Sequence, residues 1–291
     1  MSKSIAASKS PSLAPKASPD PFANLTFKGL GLRVGLPILG FWILALFIGK
    51  TWAYAGMGVI TVAAIALVIW AIRFASKTRA VADIVKAADS PQARKEALSK
   101  LETDFKKGDT AAIFAKAQLQ LHENPRVALQ TLEEIDLAKV MAPIADEARG
   151  QRAMIHLVLG EAERARQLAD NIDLSRHQQP KTRASLVTVI SEAWARTGQG
   201  KKAIDTLSVF DPEDPEFAEL KAQLYRAQAF AYAAVNDTKG IRKALRKLME
   251  INPQLLGGFL VKKIHPLLER EAKEQLKRSG AVPKKMMVKR M

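Results

Sequence analysis

Cysteine is absent from the 291 residues, which excludes disulfides, thiolate metal sites and a cysteine nucleophile. Histidine is scarce: His122, His156, His177 and His265 are the only four, and no two stand at a metal-ligand spacing. No G-x-S-x-G run marks a serine nucleophile. Aromatic residues reach only 6%. Proline and glycine are sparse in the second half, where Ala, Leu, Lys, Arg, Glu and Gln dominate and favour helix. With no grouped acid, base, nucleophile or ligand set, the expectation is a protein that binds rather than catalyses, with no metal and no cofactor.

Charge is unevenly spread. The net charge is +16, yet residues 73–261 hold 29 basic and 25 acidic groups, close to balance. The excess sits at the ends, with five Lys/Arg against Asp20 in residues 1–33 and ten against three in residues 262–291. A nucleic-acid-binding domain more often carries its excess on the folded body. Basic ends beside apolar runs point to an anionic lipid leaflet instead.

Two charge-free runs lie between Arg33 and Arg73: Val34 to Gly49, 16 residues, and Thr51 to Ile72, 22 residues. A membrane-spanning helix needs roughly 20 apolar residues. Trp52, Tyr54 and Trp70 fall near the run ends, where amphipathic rings favour the interface. Lys50 alone interrupts the stretch, while five Lys/Arg precede it and Arg73, Lys77, Arg79, Lys86, Arg94 and Lys95 follow it. The positive-inside rule then puts both termini in the cytoplasm. Gly49-Lys50-Thr51 imitates the end of a phosphate-binding loop, but Leu44 stands where that loop needs glycine, and the reading is a turn between two helices. Gly56, Gly58, Ala63, Ala64 and Ala66 keep the second helix slim, which fits a packed hairpin or a homo-oligomer.

Beyond Arg73 a pattern repeats. "ALQTLEEID" from Ala128, "ARQLADNID" from Ala165, "AIDTLSVFD" from Ala203 and "ALRKLMEIN" from Ala244 align without gaps, their starts 37, 38 and 41 residues apart. Their apolar places fall at i, i+4 and i+7, one face of a helix. A longer helical segment precedes each: Thr110–Leu121, Pro143–Leu159, Pro180–Thr197 and Pro215–Val235. A single such pair cannot bury its apolar face, whereas stacked pairs form a continuous core.

In the third unit Val187, Ile190, Ser191, Trp194, Gly198, Ala203 and Leu207 stand at tetratricopeptide spacing, and the second keeps Gly160 and Ala165 in "LGEAERA". Over residues 109–253 the chain therefore resembles the tetratricopeptide-repeat family, although its period exceeds that family's 34 residues and the first and fourth units lack the turn glycine. The predicted fold is all-α: a transmembrane helical hairpin followed by a tetratricopeptide-like α-solenoid. Its segments are a disordered basic stretch (1–33), two transmembrane helices (34–72), a helical lead-in (73–108), four repeats (109–253), capping helices (254–279) and a basic tail (280–291). In layout this is similar to some bacterial inner-membrane assembly factors, which implies an inner-membrane location.

The resemblance implies that the first helix of each pair lines a groove. Arg149, Arg152, Arg183, Arg196, Lys221 and Arg226 lie on those helices, so the groove is expected to take a protein or peptide partner bearing carboxylates. Lys284, Lys285, Lys289 and Arg290 in the tail are expected to face anionic lipid. His156 falls where the repeat often has an aromatic and is read as packing. The expected function is a membrane-anchored scaffold that binds a protein and helps assemble or localise a membrane complex. The alternative is a basic adaptor that brings RNA or ribosomes to the membrane.

Overall fold

The computed structural model describes residues 58–280 apart from 67–68, 70–79, 82, 89, 107, 122 and 262–263. The first charge-free run, Lys50, the basic N-terminal segment and the basic tail with Lys284, Lys285, Lys289 and Arg290 lie outside the described residues. Among the described residues the regular secondary structure is helical, without strands. None of their helices is long and apolar enough to cross a membrane.

The chain divides into two compact units, Met1–Ala115 and Lys116–Met291. In the first, residues 58–66 are helical, and Val59, Ile60, Val62 and Ile65 are exposed. Helix α1 (Pro91–Asp104) starts where Ser90-Pro91 predicts. The Ser90 hydroxyl accepts from the Ala93 N–H at 3.1 Å, and proline at the first helical position needs no donor partner. Ala97 and Leu101 are its buried side chains. Helix α2 follows over Thr110–Leu121.

The second unit is a run of helix pairs. After α2 come α3 (Pro125–Glu133), α4 (Ala142–Leu159), α5 (Ala162–Ala169), α6 (Pro180–Arg196), α7 (Gly200–Leu207), α8 (Lys221–Ala234), α9 (Thr238–Ile251) and α10 (Pro266–Arg278). Helix α6 packs on both α4 and α5, and α8 packs on both α6 and α7. Each new pair thus covers the apolar face left by the one before, an arrangement compatible with a helical-repeat protein.

The turns inside the pairs repeat atom for atom. The N–H groups of Glu161, Gln199 and Asp237 donate to the carbonyls of His156, Trp194 and Tyr232 at 2.8, 2.8 and 2.9 Å. This six-to-one closure needs a left-handed residue just past the helix. Gly160 (φ 78°) and Gly198 (φ 88°) supply it in two turns, and Asn236 (φ 58°) in the third. Asparagine tolerates that region better than other side chains, so the fourth unit closes its turn without the glycine that the family pattern uses.

Those turns correct the alignment of the fourth unit. Ala165 and Ala203 are fully buried five residues after Gly160 and Gly198, and the same count from Asn236 reaches Ile241, not Ala244. The equivalents of Leu207 and Phe210 are then Leu245 and Leu248, all of them buried. The aligned eighth residue, Ile251, is 42% exposed. A run of Leu and Ala at helical spacing matches itself one turn out of step, and an ungapped comparison selects the wrong match.

The segment predicted as one helix over Pro215–Val235 is also broken. Residues Pro215–Leu220 form a 3-10 turn with non-helical dihedrals at Phe217, and the α-helix starts at Lys221. Phe217 turns inward and meets Phe210 edge-on at 5.5 Å between ring centroids. At the C-terminal end a 3-10 segment, Pro253–Phe259, leads to α10. Phe259 and Leu268 are buried there and Leu260, Ile264 and Leu267 partly so, all on the core cluster of the last pair.

Small residues allow the pairs to approach. A Cβ added at Gly200 would stand 2.7 Å from Ala234 Cβ and 2.9 Å from Val235 Cγ1, so α7 and α8 meet there without room for a methyl group. Alanine ordinarily stabilises a helix by about 1 kcal/mol over glycine, but overpacking typically costs about 1–3 kcal/mol. Gly200→Ala is expected to lower the unfolding free energy by about 1–2 kcal/mol, measured by urea denaturation. Gly257→Ala, where an added Cβ meets nothing within 4 Å, is expected to change it little.

Candidate functional site

The six basic residues expected on the groove do lie on first helices: Arg149 and Arg152 on α4, Arg183 and Arg196 on α6, Lys221 and Arg226 on α8. Most are already engaged inside the fold. Arg149 donates to Asp146 Oδ1 at 2.7 Å. The Arg152 Nη2 group donates to the Leu132 and Ile135 carbonyls, both at 2.7 Å. Those carbonyls sit at the end of α3, past the reach of the helix's i+4 donors, and that of Leu132 also accepts from the Ile135 N–H at 3.1 Å. Arg196 does the same for Leu157 near the end of α4, at 2.7 Å, and also meets Glu192 at 3.2 Å. Lys221 meets Glu213 at 2.6 Å. Only Arg183 is exposed with a guanidinium that has no polar partner among the described residues.

The acids that hold these bases were not legible as a site. Asp146 and Glu271 are at most 1% exposed and Glu192 6%. Glu192 accepts two bonds from Arg226, Nε at 3.0 Å and Nη2 at 3.1 Å, while Arg196 takes its first oxygen from the other side. Both guanidinium groups also approach the Phe230 ring, at 4.9 and 5.6 Å from its centroid, a favourable cation–π placement. Asp146 lies between Arg149 and Arg176, with His177 Nε2 at 3.7 Å. Glu271 is held by Arg242 at 2.7 Å and Arg270 at 3.2 Å. In each case one base comes from the acid's own helix and the other from a different element, Arg176 after α5, Arg226 on α8 and Arg242 on α9. The available signal was an acid on the buried stripe with arginine one turn on, as in Asp146/Arg149 and Glu192/Arg196.

The electrostatics follow this geometry. The Glu192 carboxylate raises the Arg226 guanidinium above its ordinary value. Burial lowers that of Arg196, an effect Glu192 opposes. Lys221 and the Tyr225 hydroxyl, donating at 2.6 Å, pull Glu213 down to about 2. Arg242 holds Glu271 below the usual carboxylate range.

Other candidates resolve as packing or surface. His156 Nδ1 pairs with Glu161 Oε2 at 2.8 Å. It holds the place that Trp194 takes in the next pair, where the indole N–H donates to Asp170 at 2.7 Å and Lys202 Nζ sits 3.7 Å from the ring centroid. Among the described residues no group of three His, Asp or Glu could hold a metal ion. Glu133, Glu134 and Asp136 are exposed at the end of α3. The groups still able to bind a ligand are the free Arg183 and the outer edge of Arg226, whose side chain is 38% exposed.

Removing one partner from a buried ion pair costs about 3–5 kcal/mol, and the partial exposure of Arg226 places this case at the lower end. Glu192→Ala is expected to cost about 3 kcal/mol in urea unfolding, and a double-mutant cycle with Arg226→Ala to show coupling above about 1 kcal/mol. The acids also set an acid limit. Glu213 and Glu271 ionise more readily folded than unfolded, so their stabilisation is complete above the ordinary value of 4.5. It is lost as pH falls through their depressed folded values. The thermal midpoint should hold above about pH 5 and fall below it, and Glu271→Gln should start lower and fall less. Compared with known proteins, the chain matches no family model and no curated sequence.

Proposed function

We propose that this protein is a membrane-anchored, tetratricopeptide-like scaffold. Its helix pairs bind a protein segment, and its N-terminal region holds them at the bilayer. The observation that carries the reading is the stack itself, in which the first helices α6 and α8 each pack on both helices of the preceding pair. Such stacks present long surfaces, and their usual work is recognition of another chain. Arg183 gives that surface an open guanidinium suited to a carboxylate, and the outer edge of Arg226 lies on the next first helix.

The anchor rests on sequence together with one structural observation. Val59 and Val62 are about 70% exposed on the helical stretch 58–66 (71% and 68%). A helix that exposes this much aliphatic side chain is unfavourable in water and suits hydrocarbon. A span over 51–72 would contain it. The action proposed is binding at raised local concentration, with no bond chemistry.

Two measurements test this. The full-length protein should stay with membranes through an alkaline wash, and a chain lacking residues 34–72 should not. Affinity purification in detergent should recover a partner that is lost when residues 109–253 are deleted and weakened about tenfold by Arg183→Glu, a site without a partner in the fold. Recovery of the same partner without the repeats would sink the scaffold reading. Recovery of RNA in a salt-sensitive way that depends on residues 280–291 would favour the adaptor reading instead.

A further inference from the structure

The second helices of the pairs differ in charge. Helix α3 carries Arg126 against Glu133, α5 carries Arg164 and Arg166 against Glu163, and α7 carries Lys201 and Lys202 against Asp205. Helix α9 carries Lys239, Arg242, Lys243, Arg246 and Lys247 against Glu250 alone. Two of its five bases are used within the fold: Arg242 on Glu271, and Lys247 on Glu213 and Glu250. Lys239, Lys243 and Arg246 remain, all exposed and without an ion pair among the described residues. They stand at i, i+4 and i+7, opposite the buried Ile241, Leu245 and Leu248. That makes one straight row about 10 Å long. Unpaired like charges at this spacing repel one another; Glu250, one turn beyond Arg246 on the same face, is held by Lys247, so an anion laid along the three bases relieves their repulsion.

The row presents point charges to a plane and encloses nothing. No aromatic side chain interrupts α9, so it lacks the stacking platform of a single-strand nucleic-acid surface. Two exposed aliphatic side chains follow, Ile251 at the last position of α9 (42%) and Val261 beyond it (55%). Cations beside exposed aliphatics suit the headgroup layer of a bilayer. Helix α10 packs on α9 and leads into the segment bearing Lys284, Lys285, Lys289 and Arg290.

We propose that the Lys239–Lys243–Arg246 face of α9 docks on anionic lipid headgroups and lays the last repeat on the bilayer. The proposal rests on the membrane reading above, but the face is separate from the anchor and from the tail. Each basic side chain near an anionic leaflet strengthens attraction several-fold, and salt weakens it.

The test uses the full chain, which has no cysteine of its own, with Gln254→Cys carrying a fluorophore. The protein is placed in nanodiscs of phosphatidylcholine alone or with phosphatidylglycerol, each containing a headgroup quencher. Quenching is expected with phosphatidylglycerol, to fall at high salt, and to need a roughly hundred-fold stronger drive in the Lys239→Gln, Lys243→Gln, Arg246→Gln variant. All three sites are exposed, so an unchanged urea midpoint shows that the variant still folds. Equal quenching in both lipids, or no change in the variant, would overturn the proposal. So would a variant that loses binding of a labelled single-stranded RNA while its quenching stays the same. Co-elution with phosphatidylcholine discs reads the anchor separately. Its failure, with charge-dependent quenching kept on phosphatidylglycerol, would remove the anchor and leave the docking face standing.

Discussion

A carboxylate taken out of water must find its counter-charges in the protein, and this constraint organises the repeat unit. Asp146, Glu192 and Glu271 are each buried between two bases, one from the same helix and one from a different element of the stack. Apolar contacts between Ala- and Leu-rich faces tolerate sliding by a turn, because a similar face returns one turn later. An acid that reaches its second arginine in only one alignment does not. The apolar core supplies most of the drive to stack, and the buried acids select among the stackings it allows.

The same division explains what could be read from the sequence. The helix pairs, their order and the buried alanines at Ala128, Ala165 and Ala203 were legible, since spacing alone encodes them. So was the start of α1 at Ser90-Pro91. The register of α9 was not, because Ile241 and Ala244 are both apolar and both buried, and only the turn at Asn236 decides between them. The break before Lys221 was hidden because Phe217 leaves the helix to pack on Phe210, a tertiary contact that local propensity does not contain.

The candidate groove was half legible. Its bases could be placed on the first helices, but their partners could not. Arg152 and Arg196 turned toward carbonyls 17 to 39 residues away in sequence, and no spacing rule reaches so far. A list of surface bases thus becomes mostly a list of fastenings. Arg183 and the outer edge of Arg226 are what remains for a ligand, a smaller and more specific surface than the sequence suggested.

Helix α10 closes the end of the stack. Leu268, Ala272 and Leu276 occupy the face that another helix pair would cover, while Lys273, Lys277 and Arg278 face outward. Repeat stacks are open-ended by nature, and a bare terminal pair is an adhesive end on which the next molecule can continue the series. With that end covered by its own charged helix, the stack leaves no bare apolar face there from which another copy could continue the series.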